Sequence, residues 1–267
     1  MFAHRLTAPA VALVAALWLA LLAPTANAAG ELPQFEEVRY SVSWGIVPAG
    51  KGMFRARAVD GGYTLRAQIC STGLVNAFHS VRDQLYTEVG STRDGLRPTY
   101  HRVTQIEAGK RQETIMEFLD SERVRIEKRK KGKLKKEEVK AVPAGIHDTL
   151  SIIYAVRRLP LEVGETYRLP LLDGDDVETL VIPVAGRMEL KGYQVLEVRP
   201  YTVEDGEREE NGQWELFLTD DERRIPVRMK LALSFGKLML EMTDYRDEGS
   251  VSKPARMFCD RSVTMPR

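Results

Sequence analysis

Two places in the sequence bring together residue types suited to acid–base chemistry. His147 and Asp148 stand side by side at the start of a helical pattern, as a general base and its orienting carboxylate would. Adjacent side chains at a helix start diverge, however. Asp148 already has a sufficient role there as an N-cap, its carboxylate accepting N–H groups of the first turn. Asp220 and Asp221 have the composition of a catalytic carboxylate pair, but they follow an apolar run and precede Glu222-Arg223-Arg224. That setting reads as a tight turn with local ion pairs. Beyond His4, the histidines are His79, His101 and His147, and none lies at a zinc-ligand spacing from another histidine or a cysteine. No Gly-x-Ser-x-Gly elbow and no phosphate-cradling glycine loop is present. The residues therefore name no metal, cofactor or enzymatic reaction.

The densest charge feature comprises Arg125, Lys128, Arg129, Lys130, Lys131, Lys133, Lys135, Lys136 and Lys140, with Gly132 at its centre. It predicts a hairpin tip. As structure, such a tip is a solvated, self-repelling loop that protects a sheet edge. As function, it is a contact for anionic lipid head groups or lipopolysaccharide phosphates, worth about 1 kcal/mol per cation near a charged membrane. Glu127, Glu137 and Glu138 dilute its field. The whole chain, with 39 basic and 38 acidic side chains and a formal net charge of +1, has no global field selecting nucleic acid.

Compartment is written at the amino terminus. Arg5 precedes an apolar stretch from Ala10 to Ala23, followed by Pro24 and the small residues Ala26 and Ala28. This is the pattern of a signal peptide, residues 1–28, cleaved after Ala28. The stretch is shorter than the roughly 18–20 residues a spanning helix needs, so the expected product does not span a membrane. No cysteine at the cleavage point offers a lipid attachment site. The two cysteines, Cys70 and Cys259, are candidates for a disulfide in an oxidising compartment, or for two unrelated buried thiols.

The elements that must position these residues are mostly strands. Val38, Tyr40, Val42 and Trp44 alternate with polar residues; Phe54, Ala56 and Ala58 follow a turn-like Pro48-Ala49-Gly50; Tyr63, Leu65, Ala67 and Ile69 follow Asp60-Gly61-Gly62. Similar runs recur from Tyr100 to Tyr245, broken by turn residues. They predict a mainly β fold: a single curved antiparallel sheet or open barrel. One segment departs from strand period. Leu150, Ile153, Tyr154 and Arg157 fall at helical spacing between Asp148 and Arg158, and Pro160 ends the run. A helix of about ten residues is marginal alone, so it must pack on the sheet or plug its concave side. Residues 29–267 are expected to form one β-rich domain with a carboxyl-terminal tail from about 247.

Three runs carry a resemblance: Tyr40 to Gly50, His147 to Arg157, and Leu218 to Val227. Together they resemble a family of exported bacterial proteins catalogued as domain of unknown function 3108. The resemblance implies a periplasmic protein whose curved sheet is broadly like the lipoprotein-carrier and lipid-binding half-barrels of that compartment. It brings no catalytic residues with it.

The aromatics Trp44, Phe54, Tyr63, Tyr154, Tyr193 and Trp214 are expected on inner faces, as core or as the lining of a ligand cavity. The leading functional expectation is a non-enzymatic periplasmic carrier or chaperone for a lipid, lipidated or outer-membrane client. The alternative is an envelope adaptor that binds a protein or peptidoglycan through its outer surface. An apolar cavity favours the first; a filled core favours the second.

Overall fold

A computed structural model describes residues 32–78, 80–92, 95–208, 213–233 and 236–248. The expected leader (residues 1–28), His79, Cys259 and the tail after residue 248 lie outside the described residues.

The strands form one large, curved, unclosed sheet. Eight of them make a meander: β1 (Phe35–Trp44), β2 (Val47–Val59), β3 (Gly62–Ser71), β4 (Val81–Thr92), β5 (Gly95–Glu107), β6 (Lys110–Phe118), β7 (Arg123–Lys130) and β8 (Lys133–Ala141). On its other side β1 pairs with β17 (Gly236–Asp247), and the sheet continues through β16 (Pro226–Leu233), β15 (Gln213–Thr219), β12 (Tyr193–Val198) and β11 (Asp176–Leu190). The first half of β11 is flanked by β10 (Thr166–Asp173) and β13 (Tyr201–Glu204). β14 (Glu207–Arg208) pairs with β13, and the two-residue β9 (His147–Asp148) lies parallel to β10. Among the described residues the helices are α1 (Gly73–Phe78) and α2 (Ser151–Arg157).

Side-chain alternation sets the register. Val38 pairs with Phe54, Phe54 with Ala67, Ala67 with Leu85, and Leu85 with Val103, so one row of apolar residues crosses five strands on the concave face. Four hairpins turn on two residues that both have positive φ: Ala108-Gly109, Lys131-Gly132, Lys191-Gly192 and Asp205-Gly206. This is the type I′ geometry, whose twist matches the flanking strands. The first turn corrects the sequence reading. Pro48, Ala49 and Gly50 lie within β2, and the chain reverses at Gly45-Ile46 instead.

The sheet's free margin, β6 to β8, is tied to the β10–β11 turn by side chains rather than by a strand ladder. Lys128 Nζ lies 2.5 Å from Asp175 Oδ1 and Lys136 Nζ lies 2.8 Å from Asp175 Oδ2, while Lys140 Nζ donates to the Asp175 carbonyl. Beneath them Met116, Val124, Ile126 and Leu172 pack together. Lys128 and Lys136 belong to this clamp, and Arg129 pairs with Glu127. The picture of a uniformly solvated cationic tip is corrected for these three; Lys130, Lys131, Lys133 and Lys135 are exposed.

Helix α2 sits on the concave side. Leu150, Ile152, Tyr154 and Val156 are all at most 5% exposed, and burying each of the three aliphatic side chains contributes about 1.5–3 kcal/mol. That burial stabilises a seven-residue helix that would not form alone.

Candidate functional site

Between α2 and the inner faces of β10, β11, β13, β15 and β16 lies a cavity of about 420 Å³. Ile152, Ile153 and Val156 form its roof; Leu171, Leu180, Leu216, Met229 and Leu231 form much of its floor, with Trp214 at one end. The lining follows from strand period. Trp214 pairs with Leu231 and Leu216 with Met229, so β15 and β16 present their apolar residues to the same side.

The roof is fixed at both ends. At the amino-terminal end, Asp148 Oδ1 accepts the N–H groups of Leu150 at 2.9 Å and Ser151 at 3.0 Å. Asp148 thus stands in β9, two residues before the nominal cap position at Leu150. The same oxygen lies 2.9 Å from His101 Nδ1 and accepts a hydrogen bond from Thr87 Oγ1 at 2.9 Å. Burial alone would raise the Asp148 pKa, but His101 and the Ser151 donors outweigh it and hold the carboxyl well below the usual carboxylate range. At the carboxyl-terminal end, Arg157 makes a bidentate pair with Glu36 of β1, at 2.6 and 2.7 Å. Arg157 also donates to the Arg223 carbonyl, at 2.9 Å from Nη2. Burial lowers the Arg157 pKa and Glu36 raises it, the second effect prevailing.

A smaller chamber of about 230 Å³ adjoins the cavity, sharing Thr149 and Asp173 with it. Its walls are more polar, including Asp83, Gln105, Thr114 and His101. Burial, followed by the nearby Glu107, pushes Asp83 up to about 6, and burial with Asp176 raises Asp173. Asp148, His101 and Thr149 stand in the order carboxylate, imidazole, hydroxyl, but His101 Nε2 is 3.4 Å from Thr149 Oγ1 and the ring has no exposed surface. With the Thr87 hydroxyl and two backbone N–H groups donating to one Asp148 oxygen and His101 Nδ1 beside it, the group is built to hold the start of α2. His147 is buried, lies 3.5 Å from Ser151 Oγ, and has its pKa lowered by burial, which outweighs Asp148.

A surface groove of about 750 Å³ shares the lining residues Pro200, Trp214 and Leu231 with the cavity, while Glu215, Lys230 and Lys237 lie on the opposite side of their strands from Trp214 and Leu231. Among the described residues Arg199, Arg208, Lys230 and Lys237 line this groove together with Glu215.

Of the six aromatics singled out in the sequence, Trp214 lines the cavity. Phe54, Tyr63 and Tyr154 pack in the core, and Trp44, at 44% exposure, stands at the rim beside Leu238. Tyr193 corrects the inner-face expectation. It shares the side of Val195, opposite Leu196 and Val198, and is 43% exposed. Asp221 Oδ1 accepts hydrogen bonds from Thr219 Oγ1 and from the Arg223 and Arg224 N–H groups, while Asp220 pairs with Arg187. Both carboxylates are thereby engaged in a turn. Cys70 is buried on β3. Among the described residues no group of three or more His, Cys, Asp or Glu side chains is arranged to hold a metal ion, and no helix is long and apolar enough to cross a membrane.

Sequence reasoning missed Glu36, His101 and the groove cations. Glu36 and His101 act through partners distant in sequence, as Glu36 does with Arg157, 121 residues away.

The crystal structure of a β-barrel-like protein of the domain of unknown function DUF1849 from Brucella abortus is similar in fold. Its TM-score is 0.55 at 12% sequence identity, over 82% of this chain and 99% of that one. No curated protein matches. The family described as "Protein of unknown function (DUF3108)" matches residues 39–243, from the middle of β1 into β17, and the chain belongs to that family.

Proposed function

We propose that this protein is an exported, non-enzymatic carrier that shelters the apolar chain of a lipid or lipidated client beneath α2 in the periplasm. The observation that carries this reading is the cavity of about 420 Å³, whose roof and floor are aliphatic although α2 sits directly above it. Cavities of this size are typical ligand sites. A methylene needs about the space of a water molecule, roughly 30 Å³, so about a dozen fit. Burying ten of them at about 0.8 kcal/mol each gives a gross gain near 8 kcal/mol, before the costs of ordering both partners.

Leu231 supports a direct test because it lies on the cavity floor, on a strand flanked by β15 and β17. Leu231→Trp fills the space from the sheet side. A polyene fatty acid whose fluorescence rises in apolar surroundings should bind the native protein and lose at least tenfold in affinity in the variant, with the same far-ultraviolet circular dichroism. Equal binding by both proteins would place the probe elsewhere and remove the support.

The adaptor reading draws on a separate observation: Ile46 and Phe78 are 99% and 89% exposed. Ile46→Ser with Phe78→Ser should leave fatty-acid binding unchanged. If these changes instead abolish a pull-down of envelope proteins while the probe fails to bind native protein, the adaptor is the better account.

A further inference from the structure

Because strand direction alternates through the meander, three of its connections fall at one end of the sheet. They are the β1–β2 turn at Gly45-Ile46, the passage from β3 through α1 to β4, and the β7–β8 turn at Lys131-Gly132. This end carries Ile46 and Phe78, 99% and 89% exposed, and the half-exposed Leu134. Lys130, Lys131, Lys133 and Lys135 stand exposed around Leu134. Of the carboxylates in their hairpin, Glu127 is paired with Arg129 and Glu138 with Lys136, which leaves Glu137 against four lysines. With strands about 4.8 Å apart, α1 and the lysine turn lie about 20 Å from each other along this margin.

A row of cross-strand pairs leads from the same end to the cavity. Val47 pairs with Trp44, Trp44 with Leu238, Leu238 with Leu231, and Leu231 with Trp214. Directly opposed residues share a face, so all five lie on the face where Trp214 and Leu231 line the cavity. Gly236 gives the Trp44 indole its place in the row, since a Cβ there would collide with the ring.

We propose that this end of the sheet docks on the surface of an anionic lipid bilayer and that the row from Val47 to Trp214 is the track along which an acyl chain passes into the cavity. This deepens the carrier reading and rests on it. Ile46, Phe78 and Leu134 enter the head-group layer while the lysines meet lipid phosphates. Flexible lysines spread along a margin suit a plane of phosphates rather than one fixed pocket on a protein. A chain handed over here stays against apolar surface instead of crossing water.

Sedimentation of the mature protein with vesicles of phosphatidylcholine, alone or with about one third phosphatidylglycerol, tests the docking. Native protein should bind the anionic vesicles at least about tenfold more tightly in low salt, and the preference should collapse in about 1 M salt, where the screening length is roughly 3 Å. Lys130→Gln, Lys131→Gln and Lys133→Gln together should remove the preference. Ile46→Ser with Phe78→Ser should weaken binding to both vesicles about fivefold or more and slow the uptake of a polyene fatty acid from anionic vesicles. Both variants should bind that fatty acid in vesicle-free solution as native protein does, which also reports that they are folded. No vesicle binding by native protein, or binding unchanged by Ile46→Ser with Phe78→Ser, overturns the docking end; fatty-acid binding in solution then still supports the carrier, and its absence removes both. A preference that survives in the lysine variant overturns the part given to the lysines, and equal uptake by native protein and the Ile46/Phe78 variant overturns the track. Loss of an envelope-protein pull-down in that variant, with no vesicle binding by native protein, assigns the surface to a protein and overturns the bilayer.

Discussion

Replacing Arg157 by Met should show how the roof of the cavity is held. Arg157 is 4% exposed and Glu36 is 1% exposed, and their two contacts of 2.6 and 2.7 Å use both carboxylate oxygens. Removing the guanidinium leaves a buried carboxylate uncompensated and takes two donors from the Arg223 carbonyl. Breaking such a pair costs about 3–5 kcal/mol, most of it the price of the stranded charge. With a urea dependence of about 2–3 kcal/mol per molar, the unfolding midpoint should fall by roughly 1.5 M. Glu36→Met on top of Arg157→Met removes that charge as well. The double variant should recover to within about 1 kcal/mol of the native protein, because the site is otherwise flanked by Tyr40, Tyr154 and Tyr245. Urea melts of the four proteins of this cycle measure the coupling. If Arg157→Met costs under about 1 kcal/mol, or the two losses simply add, the pair is not what anchors α2 and the reasoning is wrong.

Further outcomes follow from individual residues. Asp83, pushed up to about 6 mainly by burial and with Oδ1 lacking a protein partner, binds protons more readily folded than unfolded. Stability should therefore fall as pH rises from about 4 to 6, by at most about 3 kcal/mol; Asp83→Asn should abolish that fall and stabilise the protein at pH 7 in thermal melts. Asp148 has the opposite sign, its folded pKa being depressed. Its contribution is complete above about pH 4 and is lost as pH falls further, and Asp148→Asn should remove this acid-dependent part of a stability–pH profile. A Cβ on Gly62 would stand 1.9 Å from the Val89 carbonyl oxygen, so Gly62→Ala should force the β3–β4 ladder apart and lower the melting temperature sharply. We further expect Cys70 and Cys259 to be joined; thiol titration of denatured, unreduced protein should find no free thiol, and two free thiols would refute the pairing.

The strands were legible wherever one face is apolar, as in Val38, Tyr40 and Val42, and the hairpins wherever glycine follows a residue able to take positive φ, as at Lys131-Gly132. Strand β4 was hidden because its inward residues Asp83, Leu85, Thr87 and Val89 mix polar with apolar where they face the chamber, which erases the alternation. β8 was hidden for a related reason: Lys133 to Lys140 is charged on both faces, and its inward lysines serve Asp175. α1 is only six residues long and has no charged residue in its first or last turn. The helix over the cavity was visible in its apolar spacing, yet it starts at Ser151 rather than Asp148, since β9 draws His147 and Asp148 into pairing with Leu171 and Leu172. The candidate site was legible at Trp214 and in the general idea of a concavity.

The carrier account is tested most directly by native mass spectrometry of protein released gently from the periplasm, beside a lipid extraction of the same preparation. The account predicts adducts in the mass range of a lipid, present in the native protein and depleted in Leu231→Trp. Bare protein, with no lipid extracted above a control protein from the same compartment, would contradict it.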